Sequence, residues 1–362
     1  MALYEQRLQT DLATIQEELS LIGERVEMAL HNALYALFTH DETLANQTIL
    51  GDMGINRLCL RLDRLCHSFI IRHQPSAGHL RSVLSALRMI DELERIGDYT
   101  TTISRAMLDM QHPPSGSLKQ NLETMAQSAG TMLKQSLLAF ASRDAQLARR
   151  TMPMADLVGQ QLTAAFTDLE QAGNKHQYPV RFILNSSSLC TMLERVSDRA
   201  KNICEETLFM TAGEFKAEKY FSILFIDQDN SVKSQMAESI ARRHYPTQAL
   251  FSSAGQHAGT VDPNFLTFMR QQGCTFTEIR PKSLDALPLA PEDQIVVSLE
   301  GPVRSYPLPL SFHTTFLEWS VGEAPDEAEN TSSKQEKYAS LYREITAHLQ
   351  TLMQTLRGEE IL

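Results

Sequence analysis

Residues 93–98 read Leu-Glu-Arg-Ile-Gly-Asp and residues 193–198 read Leu-Glu-Arg-Val-Ser-Asp, so two closely similar hexapeptides lie 100 residues apart. Each lies in a stretch whose apolar residues recur at helical spacing, which predicts a duplicated helical unit. Each also places a Glu and an Asp four residues apart on one helix face, and such pairs repel by a few tenths of a kcal/mol. Solvent, the intervening arginine or a bound cation must offset that repulsion between Glu94 and Asp98 and between Glu194 and Asp198.

The helical pattern extends on both sides of each hexapeptide. Gly, Pro and Ser residues interrupt it at 74–78 and 112–117, and Asp41 and Asp144 are predicted N-caps. We therefore predict two three-helix units in series, residues 1–111 (the first repeat) and residues 117–213 (the second repeat). The predicted helices span residues 3–38, 41–71, 79–110, 117–141, 144–171 and 179–212.

The pattern changes after residues 214–219. Short apolar runs rich in β-formers alternate with helical segments, which predicts a small doubly wound α/β domain with a parallel sheet over residues 220–362. The predicted strands are 220–226, 249–255, 294–299 and 312–319, and the predicted helices are 233–244, 263–272 and 335–357.

The bulk properties exclude several classes of protein. The chain has 362 residues and a formal net charge of −11, which argues against nucleic acid as the main partner. No apolar run approaches the roughly 20 residues that span a bilayer, and the N-terminus does not resemble a signal peptide. The five cysteines form no Cys-x-x-Cys pair and are predicted to be reduced thiols. We therefore expect a cytoplasmic protein that does not span the membrane.

The helical part resembles the phosphate-uptake regulator (PhoU) family. The stretches that carry the resemblance are residues 72–81, 91–98, 193–198, 202–206 and 211–214. The resemblance implies a pair of three-helix bundles without catalytic activity. It also implies negative control of phosphate import, through contacts with the ATPase of a phosphate ABC importer and with a sensor histidine kinase.

Some members of that family carry metal clusters on paired acidic helix faces, and the hexapeptide carboxylates stand at the matching positions. In the first repeat the facing positions are Asp52 and Asn56, whose oxygens suit a divalent metal or iron. In the second repeat they are Ala155 and Gly159, which have no ligand atoms, and Asp156 would point about 100° away. The alternative is a solvated face on which the acids pair with Arg95 and Arg195, and it is favoured for the second repeat.

The α/β part resembles the low-molecular-weight tyrosine phosphatases and the thioredoxin-coupled arsenate reductases. The matching stretches are residues 223–226, 230–231, 234–238, 252–255 and 280–284. In that family, catalysis requires a cysteine and an arginine in the pattern Cys-x5-Arg, around a loop whose backbone N–H groups bind the phosphoryl oxygens. Here Asp227 stands at the cysteine position and Lys233 at the arginine position, so thiol chemistry is excluded.

Other reaction-bearing positions are altered as well. The nearest match to the leaving-group acid is Glu323, and the reductase's two further cysteines fall at about Glu300 and Tyr306. We therefore predict a degenerate anion loop without catalytic activity, formed by Asp227, Asn230, Ser231, Lys233 and Ser234. Three alternatives stay open: a phosphatase or arsenate reductase with an unusual active site, a receiver-like domain, and a cation at Asp227 and Asp229.

Together these features predict a non-enzymatic regulator of phosphate uptake and phosphate signalling. In this hypothesis the α/β part is an accessory module that docks a protein or senses an anion. A metal-storage role is a weaker alternative. The sequence does not identify the partner or the metal, and it leaves homodimerisation open.

Overall fold

The computed structural model describes residues 2–110, 112–216, 220–274, 280–287, 294–308, 314–326 and 328–358. The chain divides into two compact units, a helical unit (Met1–Ala217) and an α/β unit (Glu218–Leu362). Part of the predicted junction, residues 217–219, lies outside the described residues. So do the end of the first repeat at residue 111, the first two residues of the predicted strand 312–319, and the chain end at 359–362.

The helical unit contains seven helices within the described residues. They are α1 (Ala2–Thr39), α2 (Glu42–His73), α3 (Ala77–Leu108), α4 (Gly116–Ser142), α5 (Ala145–Thr151), α6 (Met154–Asn174) and α7 (Val180–Ala212). Both predicted N-caps are confirmed, since the Asp41 carboxylate accepts from the amide of Leu44 and that of Asp144 from the amides of Gln146 and Leu147. Each cap satisfies amides that a helix start leaves without partners.

One predicted helix was wrong in extent. The sequence predicts a continuous helix over residues 144–171, but the structure ends α5 at Thr151 and begins α6 at Met154. Pro153 lies between them. Proline has no amide hydrogen and its ring clashes with the preceding turn, so it breaks the helix that the apolar spacing alone would continue.

The two repeats share one continuous apolar core. Buried residues of α1, α2 and α3 pack in the same cluster as those of α4, α6 and α7. The two hexapeptide helices, α3 and α7, pack against each other. Polar contacts also join them: Arg199 lies 3.3 Å from Glu92, and Arg88 lies 3.1 Å from Glu206. The duplication therefore builds one compact unit.

The α/β unit has a four-stranded parallel sheet in the order β2-β1-β3-β4. Its elements are β1 (Phe221–Asp227), α8 (Lys233–His244), β2 (Ala249–Gly255), α9 (Pro263–Gln271), β3 (Gln294–Ser298), β4 (Thr315–Glu318) and α10 (Thr331–Arg357). Alternate residues of β1 point to opposite faces, so Ile223 and Phe225 pack with α8, α9 and α10, whereas Leu224 and Ile226 pack with Leu284 and Val303. The strand order reverses between β1 and β3, and ligands of such sheets bind at this position.

Candidate functional site

The predicted anion loop lies at the carboxyl end of β1. The strand ends at Asp227, residues 228–232 form the loop, and α8 begins at Lys233. Asn230 adopts the left-handed conformation, with φ of 52°. Gly255 at the end of β2 lies so close that a Cβ there would be 2.5 Å from the Asn230 amide nitrogen. Glycine is therefore required at position 255 for the loop to pack against the sheet.

Asp227 fills the centre of this loop. Its side chain is buried, at 2% exposure. One carboxylate oxygen accepts from the amide of Asn230 at 2.6 Å and the other from the amide of Ser234 at 2.8 Å. Burial raises the pKa of Asp227 to about 6, because the loss of hydration outweighs the opposing effect of these hydrogen bonds. The carboxylate therefore uses amides that could otherwise bind an anion.

Two further carboxylates occupy other loop amides. The amide and hydroxyl of Ser231 both donate to one oxygen of Asp229, at 3.0 and 2.7 Å. The amide of Gln228 donates to Glu300 at 3.4 Å. With the two bonds to Asp227, three backbone amides of the loop and the amide of Ser234 in α8 donate to three carboxylates of the chain itself.

The remaining predicted loop residues have structural partners too. Lys233 is buried, and its ammonium nitrogen lies 3.9 Å from a carboxylate oxygen of Glu300. The amide side chain of Asn230 donates to the Ser234 hydroxyl at 2.8 Å and accepts from Gln235 and from the Lys282 amide, each at 2.9 Å. The structure therefore brings together all five predicted loop residues, and the contacts of their polar groups stabilise the loop conformation.

Sequence reasoning missed the part that Glu300 plays. This residue follows β3, and its backbone carbonyl accepts from the hydroxyl of Tyr306 and from that of Ser298. Its carboxylate accepts a hydrogen bond from the amide of Gln228 in the loop, 72 residues earlier in the chain. The one available signal was its position after the strand beside β1, because parallel strands end at a common edge. Glu323, the candidate leaving-group acid, is exposed.

The predicted metal ligands of the first repeat form a second polar site, between α2 and α3. The amide nitrogen of Asn56 donates to one oxygen of Asp52 at 3.2 Å. The other oxygen of Asp52 and the side-chain oxygen of Asn56 are buried and have no hydrogen-bond partner. Burial raises the pKa of Asp52, and the charge of Asp98 raises it further. Asp52 can approach α3 because Gly97 has no side chain: a Cβ there would lie 3.1 Å from its unpartnered oxygen.

Glu94 and Asp98 are exposed on the same side of α3. Within the described ranges, no three His, Cys, Asp or Glu side chains are grouped so as to hold a metal. Arg95 forms no ion pair with any residue that the structure describes, so the pairing of Glu94 or Asp98 with Arg95 is not observed in the first repeat. Arg95 and Glu94 are adjacent in sequence and therefore diverge by about 100° around the helix.

The second repeat has no equivalent of this site. Ala155 is buried, a Cβ at Gly159 would meet nothing within 4 Å, and Asp156 pairs with Lys201 at 3.6 Å. The partner Lys201 belongs to α7 and lies three residues after Asp198.

Comparison with known proteins agrees with this division of the chain. The profile of the PhoU domain matches residues 19–107 and 122–207. The phosphate-specific transport system accessory protein PhoU of Edwardsiella tarda is 30% identical over 207 residues, which are 56% of this chain and 84% of that protein. The chain belongs to the PhoU family. The protein of the same name from Escherichia coli K12 is also 30% identical, over 56% of this chain and 85% of its own length.

Structural comparison supports the helical assignment, and a second profile assigns the α/β unit. The crystal structure of PhoU from Pseudomonas aeruginosa superposes with a TM-score of 0.55 at 27% identity, covering 57% of this chain and 99% of that one. The profile of low molecular weight phosphotyrosine protein phosphatases matches residues 222–361. This PhoU-family protein is therefore fused to a phosphatase-like domain, as the motifs predicted. No helix among the described residues is long and apolar enough to cross a membrane.

Proposed function

We propose that this PhoU-family protein regulates phosphate uptake and phosphate signalling through protein contacts with the ATPase of a phosphate ABC importer, a sensor histidine kinase, or both. The proposal is supported by 30% identity to phosphate-transport accessory proteins over most of their length. The helical unit that carries this similarity forms one compact body with a continuous core.

Binding of purified components tests this proposal. The full chain is immobilised, and the importer ATPase and the cytoplasmic part of the sensor kinase from the same organism are passed over it separately. We expect saturable binding of at least one, and derepressed phosphate-starvation genes in a deletion strain. Absence of binding to both, together with normal gene expression in the deletion strain, would contradict the proposal.

The α/β unit acts in this proposal as a phosphatase-like module without phosphatase activity. The observation that supports it is that three loop amides and the amide of Ser234 already donate to Asp227, Asp229 and Glu300. These carboxylates occupy the donors that a phosphoryl group would need, and their charge repels a dianion. The unit's cysteine, Cys274, is buried in the apolar core, and burial raises the pKa of its thiol. It therefore supplies no thiolate nucleophile.

An enzymatic function is the second candidate, because the phosphatase profile matches residues 222–361 of the unit. The purified full chain is assayed with an aryl phosphate, and with arsenate in the presence of reduced thioredoxin. We expect no turnover above the buffer blank in either assay. Turnover by the wild-type chain that Asp227→Asn abolishes would identify an unusual active site and refute the inactive module.

We further propose that the α2–α3 site of the first repeat binds a divalent cation. The residues fit a hard cation because Asp52 and Asn56 each present a buried oxygen without a partner, and Asp98 adds negative charge beside them. A bound cation would supply the missing partner and relieve the repulsion between the acids.

Calorimetric titration of the full chain with Mn²⁺ or Mg²⁺ tests this site. We expect binding that Asp52→Ala removes and that the matched second-repeat variant Asp156→Ala leaves unchanged. A wild-type chain that binds neither ion, or an Asp52→Ala chain that binds as well as the wild type, would exclude the site.

A further inference from the structure

A groove between α1 and α2 presents three arginines. It has a volume of about 330 Å³ and is lined by Arg25 of α1 and by Gly54, Arg57, Leu58 and Arg61 of α2. A Cβ added at Gly54 would meet nothing within 4 Å, so this part of the groove is open. Arg61 forms an ion pair with Glu18, which shows that the groove edge accepts a carboxylate. Neither Arg25 nor Arg57 is ion-paired to any residue that the structure describes.

Aliphatic side chains flank these arginines on α2. Leu50, Met53 and Leu60 are 78%, 64% and 61% exposed. With Arg57 they occupy positions i, i+3, i+7 and i+10, so they form one stripe along the helix. Arginine and methionine are enriched at protein interfaces, whereas single exposed apolar residues would need no explanation.

The second repeat provides an internal comparison. Aligning the caps Asp41 and Asp144 gives an offset of 103 residues. The three groove arginines then correspond to Ser128, Gln160 and Ala164, and Met53 and Leu60 correspond to Asp156 and Thr163. Leu50 corresponds to Pro153, which lies between α5 and α6. Apart from that break, the second repeat forms its helices without any of these arginines or exposed apolar residues. Folding therefore does not require them in the first repeat, and a function specific to that repeat can account for them.

The surrounding charge limits the size of the ligand. A neighbouring groove on α1 is lined by Glu17 and Glu24, so the positive surface is short. An extended polyanion such as a nucleic acid or an anionic membrane would meet these glutamates as well as the arginines, in a chain of net charge −11. A short acidic segment would fit between them.

We propose that the α1–α2 groove docks an acidic amphipathic helix of a protein partner, a proposal that rests on the function proposed above and names its contact surface. Carboxylates of the partner pair with Arg25 and Arg57, which can each bind a carboxylate through two parallel hydrogen bonds. Apolar residues of the partner cover Leu50, Met53 and Leu60, in the manner of a helix lying in a groove.

Fluorescence anisotropy with a synthetic probe tests the groove without the importer or the kinase. The probe is a labelled 20-residue amphipathic peptide with leucines on one face and glutamates flanking them. It is titrated with the full chain and with Arg25→Glu, Arg57→Glu and Leu60→Ser. We expect saturable binding to the wild type, weakened roughly tenfold or more by each arginine reversal and measurably by Leu60→Ser. The matched control Gln160→Glu, at the second-repeat position equivalent to Arg57, should bind as the wild type does.

Three outcomes would overturn the proposal. The first is peptide binding that neither arginine reversal weakens. The second is equal binding of a peptide with lysine in place of glutamate. The third is displacement of the peptide by pyrophosphate together with no effect of Leu60→Ser, which would indicate a small-anion site. The two proposals can fail separately. Peptide binding at the groove, with no binding of importer or kinase and normal gene expression in the deletion strain, would refute only the function. Importer binding that Arg25→Glu and Arg57→Glu leave intact, with no peptide binding, would refute only the groove.

Discussion

Asp52 in the helical unit and Asp227 in the α/β unit are both carboxylates at least partly removed from solvent, but they differ in their hydrogen-bond partners. Each is an aspartate whose pKa is raised first by burial and then by a neighbouring acid, Asp98 or Asp229. Both oxygens of Asp227 accept backbone amides, whereas one oxygen of Asp52 is buried without a partner. The chain therefore supplies hydrogen-bond donors to both oxygens of Asp227 but to only one oxygen of Asp52.

The difference follows from the backbone around each acid. Asp227 begins a strand-to-helix loop, where amides have no helical partner and can turn toward a carboxylate. Asp52 lies in the middle of α2 and faces the middle of α3, where the amides already bond within their own helices. A carboxylate between two helices must therefore obtain its partner from a side chain, water or a ligand. The unpartnered oxygen of Asp52 therefore makes the helical site a candidate for ligand binding, whereas both oxygens of Asp227 already accept hydrogen bonds from the chain.

The largest expected effect comes from adding one methyl group beside the loop of the α/β unit. In Gly255→Ala the new Cβ would lie 2.5 Å from the backbone of Asn230 and of His257, so the loop must move away from the sheet. We expect the free energy of unfolding of the α/β unit to fall by about 3 kcal/mol or more. Urea unfolding of the full chain, followed by the fluorescence of Trp319 in that unit, measures the loss.

Gly97→Ala is the matched change at the helical site. There the Cβ would lie 3.1 Å from a side-chain oxygen of Asp52, which can move, and alanine favours the helix by up to about 1 kcal/mol. We expect a change below about 1 kcal/mol in the stability of the helical unit. An equally large loss in both variants would show that the two sites are equally rigid, contrary to the contrast drawn between them.

The next effect is a pH dependence due to Asp227. Its pKa is about 6 in the folded chain against an ordinary 3.8, so between these values the folded state binds more protons than the unfolded state. Its contribution to stability is therefore largest below pH 4 and declines by about 3 kcal/mol as the pH rises to 7.

We expect Asp227→Asn to remove this decline, as measured by chemical unfolding of the α/β unit at several pH values from 4 to 7. Asp285→Asn changes an exposed acid of the same unit and should keep the wild-type pH profile. Identical profiles for the wild type and Asp227→Asn would mean that the buried carboxylate does not titrate in this range.

The smallest effect concerns the pair Asp52 and Asp98. Because the charge of Asp98 raises the pKa of Asp52, the variant Asp98→Asn should lower it toward its ordinary value. Carbon-13 NMR of the aspartate carboxyl groups, as a function of pH, measures the shift. The second-repeat variant Asp198→Asn serves as the control and should leave Asp52 unchanged. A pKa that does not move in Asp98→Asn would show that the two carboxylates are too far apart to interact.

Local sequence signals were sufficient for much of the fold and for the identity of the loop residues. The caps Asp41 and Asp144 and the start of α8 at Lys233 lie where the pattern predicted, and the seven-residue strand β1 begins and ends one residue later than predicted. The break at Pro153 was missed because the apolar spacing continues across it. Glu300 was named as a lost cysteine position, but its bond to the loop depends on the pairing of β1 with β3.

The sequence by itself determined that position 227 cannot supply a thiol, because the residue there is an aspartate in any fold. It also determined the duplication, since the two hexapeptides repeat a helix face. Only the tertiary structure decided which acids have hydrogen-bond partners for both carboxylate oxygens. That outcome depends on amides and carboxylates from distant parts of the chain lying within about 3 Å of one another. The order of residues in the sequence does not predict which of these groups come that close.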